Sequence, residues 1–281
     1  MSSPLTRPTW THTQAAALHG IRTAIGVFKP TFGQAQSLTE RAQVPSEGIP
    51  EGIHVSCELA PPSSQIPASI HSTTIQLGQV PVFFYTNALS ESLDAKKDVK
   101  VILHVHGGGN VSGHPTEKRF MTFFSRILHT LGKKSGAQGS SAHIIAAPSR
   151  RLATVPENLF PAALQDLFSA YHHLILRGFA AENITITGDS AGGNLALVLT
   201  YIISQSTLPM PGHVALFSPD ADVTYASYTS IPHDVIPLSA YQACSSQYLG
   251  NFPANHPLAS GILIPFTLTE NCEWYPRGRR D

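Results

Sequence analysis

Asn183-Ile184-Thr185-Ile186-Thr187-Gly188-Asp189-Ser190-Ala191-Gly192-Gly193-Asn194, running into Leu195-Ala196-Leu197-Val198-Leu199, is the stretch that decides the fold. Ile184 and Ile186 alternate with threonines, and β-branched side chains dominate, which is the pattern of a strand. Leu195 to Ile203 is apolar on nearly every side, as a buried helix requires. Between them stands Gly-x-Ser-x-Gly. A strand that reverses into a helix within so few residues forces the middle residue into a strained backbone. Side chains at 188 and 192 would collide as strand and helix close, so glycine is needed at both. The spacing predicts that Ser190 is lifted to the carboxyl edge of a sheet with its hydroxyl exposed. The amide of Ala191 then lies at a helix N-terminus, where unpaired donors favour a developing negative charge.

A second glycine cluster, His106-Gly107-Gly108-Gly109, follows a predicted strand over Val99 to Val105. Acyl transfer leaves negative charge on the former carbonyl oxygen, and donors aimed at it in advance stabilise it. Residues without side chains let backbone N–H groups approach a substrate closely. Gly108, Gly109 and Ala191 are therefore the expected oxyanion donors around Ser190. A metal site is the rival reading, with His104, His106 and His114 as ligands and the first two on one strand face. No carboxylate or cysteine stands at a supporting spacing, so no metal is expected. Neither glycine cluster has the pattern of a phosphate loop.

Strands and helices alternate downstream of Val80. Strands are predicted at Val82 to Tyr85, Ala142 to Ala147 and His213 to Phe217. Phe120, Phe123, Phe124, Ile127, Leu128 and Leu131 recur at helical spacing, with Gly132 as the stop. Pro161 opens another helix, whose buried face is Leu164, Leu167, Phe168, Tyr171, Leu174 and Ile175, ending at Gly178. This order implies an α/β fold with a mostly parallel sheet, helices on both faces, and ligands at the carboxyl ends of the strands. Ahead of it, Ala15 to Phe28 reads as an amphipathic helix and Thr31 to Pro67 as loop. The expected organisation is a cap segment over 1–75, an α/β core over 76–265 and a divergent tail over 266–281.

Hydrophobic residues make up 42% of the chain, enough for one large core, and the formal net charge of +0 gives no field for nucleic acid or anionic lipid. No apolar run is long enough to span a bilayer, and no secretory signal is visible. Cys57, Cys244 and Cys272 are few, odd in number and far apart, which points to a reduced, cytoplasmic setting.

The two glycine clusters, together with Asn158-Leu159-Phe160-Pro161-Ala162-Ala163-Leu164-Gln165-Asp166, resemble the hormone-sensitive-lipase group of α/β-hydrolases, also called the fold-3 group. Ser149-Arg150-Arg151-Leu152-Ala153 resembles that group's Tyr-Arg-Leu-Ala segment, with Arg150 where a tyrosine is usual. Ser218-Pro219 and Pro257-Leu258-Ala259-Ser260 also match. The likeness runs from about Val80 to about Ile264. It implies hydrolysis of carboxylic esters without a cofactor, the substrate being a small-molecule ester. Ser190 is then the nucleophile and Gly108, Gly109 and Ala191 the oxyanion hole, with His106, Gly107, Gly188, Asp189, Gly192 and Asp166 in structural roles.

In this fold an Asp or Glu and then a His follow the serine in the chain. The group's next strand begins near Leu263 to Leu268, but the tail from Asn271 to Asp281 that follows has no strand pattern and no histidine. The expectation is a chain cut short at its C-terminus, with its last strands and helix incomplete. An unfinished sheet leaves an open edge, so self-association is expected as well. His213, His233 and His256 are the histidines after Ser190, and His233, beside Asp234, is the candidate base. Asp220 and Asp222 read as loop caps. The alternative function is a ligand-binding remnant that keeps the pocket without turnover.

Overall fold

The computed structural model describes residues 11, 33–87, 99–134, 142–229 and 234–265. Six strands form one sheet: β1 (Ile53–Ala60), β2 (Val80–Asn87), β3 (Lys100–Val105), β4 (His143–Pro148), β5 (Ile184–Asp189) and β6 (His213–Phe217), in the order β1-β2-β4-β3-β5-β6. β4, β3, β5 and β6 pair in parallel, while β1 and β2 are antiparallel. Five α-helices are described: α1 (Leu38–Arg41), α2 (Lys118–Lys134), α3 (Ala162–Leu176), α4 (Ser190–Ser204) and α5 (Leu238–Leu249).

The alternation of β2 shows why the sheet is covered on both faces. Val80, Val82 and Phe84 enter one apolar cluster with Leu164, Leu167 and Phe168 of α3 and the buried face of α4. Phe83 and Tyr85 enter a second cluster with Phe120, Phe124 and Leu128 of α2. Successive side chains point to opposite faces, so a strand buried on both reads as a continuous apolar run. Helix α4 buries Leu195, Ala196, Val198, Leu199, Ile202 and Ile203. Each large aliphatic side chain so buried contributes about 1.5–3 kcal/mol.

Three expectations are corrected. The stretch from Thr31 to Pro67 is not all loop: Ile53, Val55, Cys57 and Leu59 alternate along β1, which pairs with β2 over its full length. Gly132 does not stop α2, which continues to Lys134. Helix α5 has no counterpart in the sequence reading. The predicted helix over Ala15 to Phe28, the tail over 266–281 and Cys272 lie outside the described residues. Among the described residues no helix is long and apolar enough to cross a membrane.

Candidate active site

Parallel register brings both glycine clusters to one edge of the sheet. Val105 pairs with Gly188, and Asp189 pairs with Phe217, so β3, β5 and β6 end together. The segments that follow them, beginning at His106, Ser190 and Ser218, lie side by side at the carboxyl edge, where open parallel sheets place their ligands.

Ser190 sits at the turn from β5 into α4 with φ of 53°, a left-handed conformation that costs a non-glycine residue energy. A Cβ at Gly188 would lie 2.4 Å from the carbonyl oxygen of Gly192. A Cβ at Gly192 would lie 2.2 Å from the carbonyl oxygen of Val105 and 2.3 Å from that of His106. The Gly188 contact packs the turn on its own strand, and the Gly192 contacts pack it on β3 and the glycine loop that follows. Asp189 adds a polar link: its Oδ1 accepts the Gly107 N–H at 2.8 Å and lies 3.4 Å from His104 Nε2. Burial pushes this carboxyl up, but the neighbouring His104 and the Gly107 amide outweigh it and hold it below the usual range.

One buried guanidinium holds both ends of the glycine loop. Arg150 Nη1 donates to His106 Nε2 at 2.9 Å, and its Nη2 donates to Asn110 Oδ1 at 3.2 Å. His106 Nδ1 lies 2.7 Å from the Gly107 carbonyl oxygen. Nε2 must accept from Arg150, so Nδ1 carries the proton and donates to that carbonyl. Burial, and then the charge of Arg150, keep His106 neutral by lowering it well below the ordinary histidine value. Burial also pushes the Arg150 guanidinium down to about 10. Gly108 (φ 116°) and Gly109 (φ 63°) both occupy the positive-φ region that favours glycine.

Asp222 is a loop cap, as expected: its Oδ1 accepts the Thr224 N–H at 3.0 Å. Asp220 is not. Its backbone N–H donates to the Ser190 carbonyl at 3.0 Å, and its Oδ2 accepts the Tyr225 hydroxyl at 2.9 Å. The same hydroxyl lies 2.6 Å from Ser245 Oγ on α5. Burial, only partly offset by the Tyr225 hydrogen bond, pushes the Asp220 carboxyl up to about 6. A carboxyl raised on folding costs the native state stability progressively from about pH 4, where the unfolded chain ionises, to about pH 6; the full cost persists above that, and there is none below about pH 4. Asp220→Asn keeps an acceptor for Tyr225. It is therefore expected to raise Tm at about pH 8 and leave it unchanged near pH 4, as thermal unfolding at the two pH values will show.

The histidines fall into place differently from the sequence reading. His104 Nδ1 lies 2.9 Å from Thr187 Oγ1, and both nitrogens of His106 are engaged as above. His114 Nδ1 lies 2.7 Å from Thr116 Oγ1 and its Nε2 3.0 Å from the Arg41 carbonyl. All three rings thus serve protein partners. His213 pairs across from Thr185, at the end of β6 remote from Ser190. His256 Nδ1 accepts the Leu258 N–H at 3.1 Å, closing a turn. His233 lies outside the described residues. Among the described residues no group of three or more His, Cys, Asp or Glu is arranged to hold a metal ion.

Comparison with known proteins agrees with this geometry. The profile of a family described as alpha/beta hydrolase fold matches residues 102–269, more than half of the chain. The chain is 31% identical over 170 residues to an acetyl-hydrolase of Streptomyces hygroscopicus, which covers 59% of this chain and 52% of that protein. It is 31% identical over 170 residues to the hormone-sensitive lipase of Homo sapiens, covering 58% of this chain and 14% of the lipase. The chain thus spans about half, or less, of these relatives' length. The fold of an esterase from the bacterial hormone-sensitive lipase family superposes with a TM-score of 0.57 at 21% identity, covering 90% of this chain and 74% of that one. The chain belongs to the alpha/beta hydrolase fold family, as a hormone-sensitive-lipase-like member of it.

Proposed function

We propose that this chain hydrolyses carboxylic esters through Ser190. The observation that carries the reading is the positive φ of Ser190 at the head of α4, on a turn whose glycine is wedged against the loop that begins at His106. Ser190 Oγ attacks the ester carbonyl carbon. The carbonyl oxygen becomes an oxyanion, for which the amides of Gly108, Gly109 and Ala191 are the proposed donors. Collapse expels the alcohol, and water then releases the acid from the acyl-serine. The Oγ proton needs a base. With His213 at the far end of β6 and His256 closing a turn, His233 is the proposed acceptor.

A fluorophosphonate probe tests this directly. The expected result is covalent labelling of Ser190, lost in Ser190→Ala and slowed in His233→Gln. A folded chain that the probe leaves unlabelled rejects turnover and favours the binding-without-hydrolysis alternative. The expected self-association has support in β6, an edge among the described strands, with Val214 and Phe217 exposed. Size-exclusion chromatography is expected to show species larger than a monomer, and a clean monomer counts against it.

A further inference from the structure

We propose that Asp220 is the carboxylate that serves Ser190: it orients the base that takes the Oγ proton and stabilises the cation which that base becomes. The inference rests on the ester-hydrolase reading and adds to it a residue whose sequence pattern is that of a turn cap.

Asp220 is fixed between the serine turn and the glycine loop. It follows β6, the neighbour of β5 in the sheet, and its backbone N–H donates to the Ser190 carbonyl at 3.0 Å. The residue before it packs on the first turn of α4, since a Cβ at Gly193 would lie 3.0 Å from Pro219 Cα. On its other side, Oδ2 accepts the Tyr225 hydroxyl at 2.9 Å, and that hydroxyl lies 2.6 Å from Ser245 Oγ on α5. Cys244, next to Ser245, rests on the glycine loop, because a Cβ at Gly109 would lie 2.8 Å from its Sγ. Burial, and then the charge of Asp220, raise the Cys244 thiol, so the carboxylate is felt at that contact.

The backbone around Asp220 is strained on both sides. Ser218 has φ of 46° and Tyr225 has φ of 53°, left-handed values for residues other than glycine. Such conformations persist only where the surrounding structure enforces them, and they gather at functional sites. Asp222 shows what a cap looks like here, with Oδ1 on the Thr224 N–H. The Asp220 carboxylate accepts no backbone N–H among the described residues. Tyr225 occupies Oδ2, and no described group bonds Oδ1, which leaves that oxygen to accept from a base.

The carboxylate works against the fold. Burial pushes it up, Asp222 adds to the shift, and the Tyr225 hydrogen bond offsets only part of it. A destabilising group that is nevertheless held from three sides points to a functional demand. That demand arises during the reaction. As Ser190 Oγ bonds to the ester carbonyl carbon, its proton passes to the base and the carbonyl electron pair moves onto oxygen. The base turns from neutral to cationic, and a cation beside Asp220 offsets both the desolvation and the repulsion from Asp222. The carboxylate therefore stabilises the state after proton transfer more than the state before it, which is what lowers a barrier. Asp220 keeps its own charge throughout, and the proton goes from the base to the departing alcohol. The glycine amides meet the negative charge that forms, and Asp220 meets the positive one.

Asp220 is thus a positioning residue, and its test separates charge from architecture. Asp220→Asn removes the charge and keeps an acceptor for Tyr225. In the full chain at about pH 8 it is expected to slow fluorophosphonate labelling of Ser190, and kcat for p-nitrophenyl acetate, by about a thousandfold, with KM within about threefold of the parent. Tm at that pH should rise, the opposite of what a merely structural residue would give. Asp222→Asn, which removes the neighbouring carboxylate and keeps its turn, should leave both rates within about threefold. Tyr225→Phe leaves the charge but unfastens it, so about a tenfold fall in kcat is expected. Rates in Asp220→Asn within about tenfold of the parent, an equal loss in Asp222→Asn, an unchanged kcat in Tyr225→Phe, or a Tm that falls together with the rate overturns the proposal. A folded parent chain that is never labelled ends the hydrolase reading and this role together. A parent that is labelled no faster than Asp220→Asn ends this role alone.

Discussion

Arg150→Met is expected to lower the rate of ester hydrolysis, and of Ser190 labelling, by about a hundredfold, with KM close to that of the parent and only a modest fall in Tm. The split follows from what Arg150 touches. Its guanidinium is buried, and it donates to His106 Nε2 and Asn110 Oδ1, at the two ends of the glycine loop. Its Nε has no hydrogen-bond partner, and no carboxylate oxygen accepts from it in the described structure. Replacing the guanidinium by an apolar chain removes a buried charge, which is favourable, but leaves His106 Nε2 and Asn110 Oδ1 as buried acceptors without their donor, which is not. The loop, however, loses the clamp that fixes the glycine amides, and displacement of about 1 Å in a donor that must meet a forming oxyanion costs about 10²-fold. Arg150→Lys supplies one ammonium that can reach His106 or Asn110 but not both, so partial recovery is expected. An unchanged labelling rate in Arg150→Met would show that the loop holds itself without the guanidinium. A fall in Tm equal to the fall in rate would assign Arg150 to stability instead.

Local steric demands were the part of this site most readable in the sequence. Gly188 and Gly192 are fixed by close contacts, and a turn this tight admits no other residue at those positions. The pattern of β5 and the apolar circumference of α4 are equally local, and both elements stand where the sequence put them. β1 carries the same kind of signal in Ile53, Val55, Cys57 and Leu59, but its flanks are rich in proline and serine, which reads as loop. Its burial comes from pairing with β2, nearly thirty residues downstream, and no local pattern reports that partner.

Helix α5 hid for another reason. Its buried residues are Ala240, Ser245, Tyr248 and Leu249, of which only Leu249 is a large aliphatic and two bear hydroxyls, so no aliphatic stripe marks it. The role of Asp220 depends on α5 in turn. A carboxylate two residues after a strand looks like a turn cap, and Asp222 is one. Asp220 differs because Tyr225, held against Ser245 and the Tyr241 carbonyl, presents it with a hydroxyl. The three residue types are visible in the sequence, but their meeting is tertiary. Arg150 is the intermediate case. Its departure from the tyrosine usual in the related group was plain, yet the sequence held no hint that it clamps His106 and Asn110.

Asp166→Ala is expected to lower the free energy of unfolding by about 3–5 kcal/mol, measured as a fall in the urea midpoint at constant m. The carboxylate is 1% exposed and serves two arginines. Oδ2 accepts the Arg151 backbone N–H at 2.7 Å and the Arg41 Nη2–H at 3.3 Å, while Oδ1 accepts Arg151 Nε at 2.9 Å. Those arginines reach onward: Arg41 to the Ser149 carbonyl, and Arg151 to the Gln76 carbonyl at 2.6 Å. One carboxylate thus ties α1, the 149–151 loop, α3 and the segment before β2. Without it the buried Arg41, whose guanidinium burial already lowers against the pull of Asp166, is left as an uncompensated cation. Asp166→Asn keeps the shape and an acceptor but not the charge, so a smaller loss is expected. Pairing Asp166→Ala with Arg41→Met should cost less than the sum of the single changes, because removing the stranded charge recovers part of the penalty. Strict additivity, or a loss under about 1 kcal/mol for Asp166→Ala, would mean that water or a local shift satisfies the two arginines and that the cluster is no keystone.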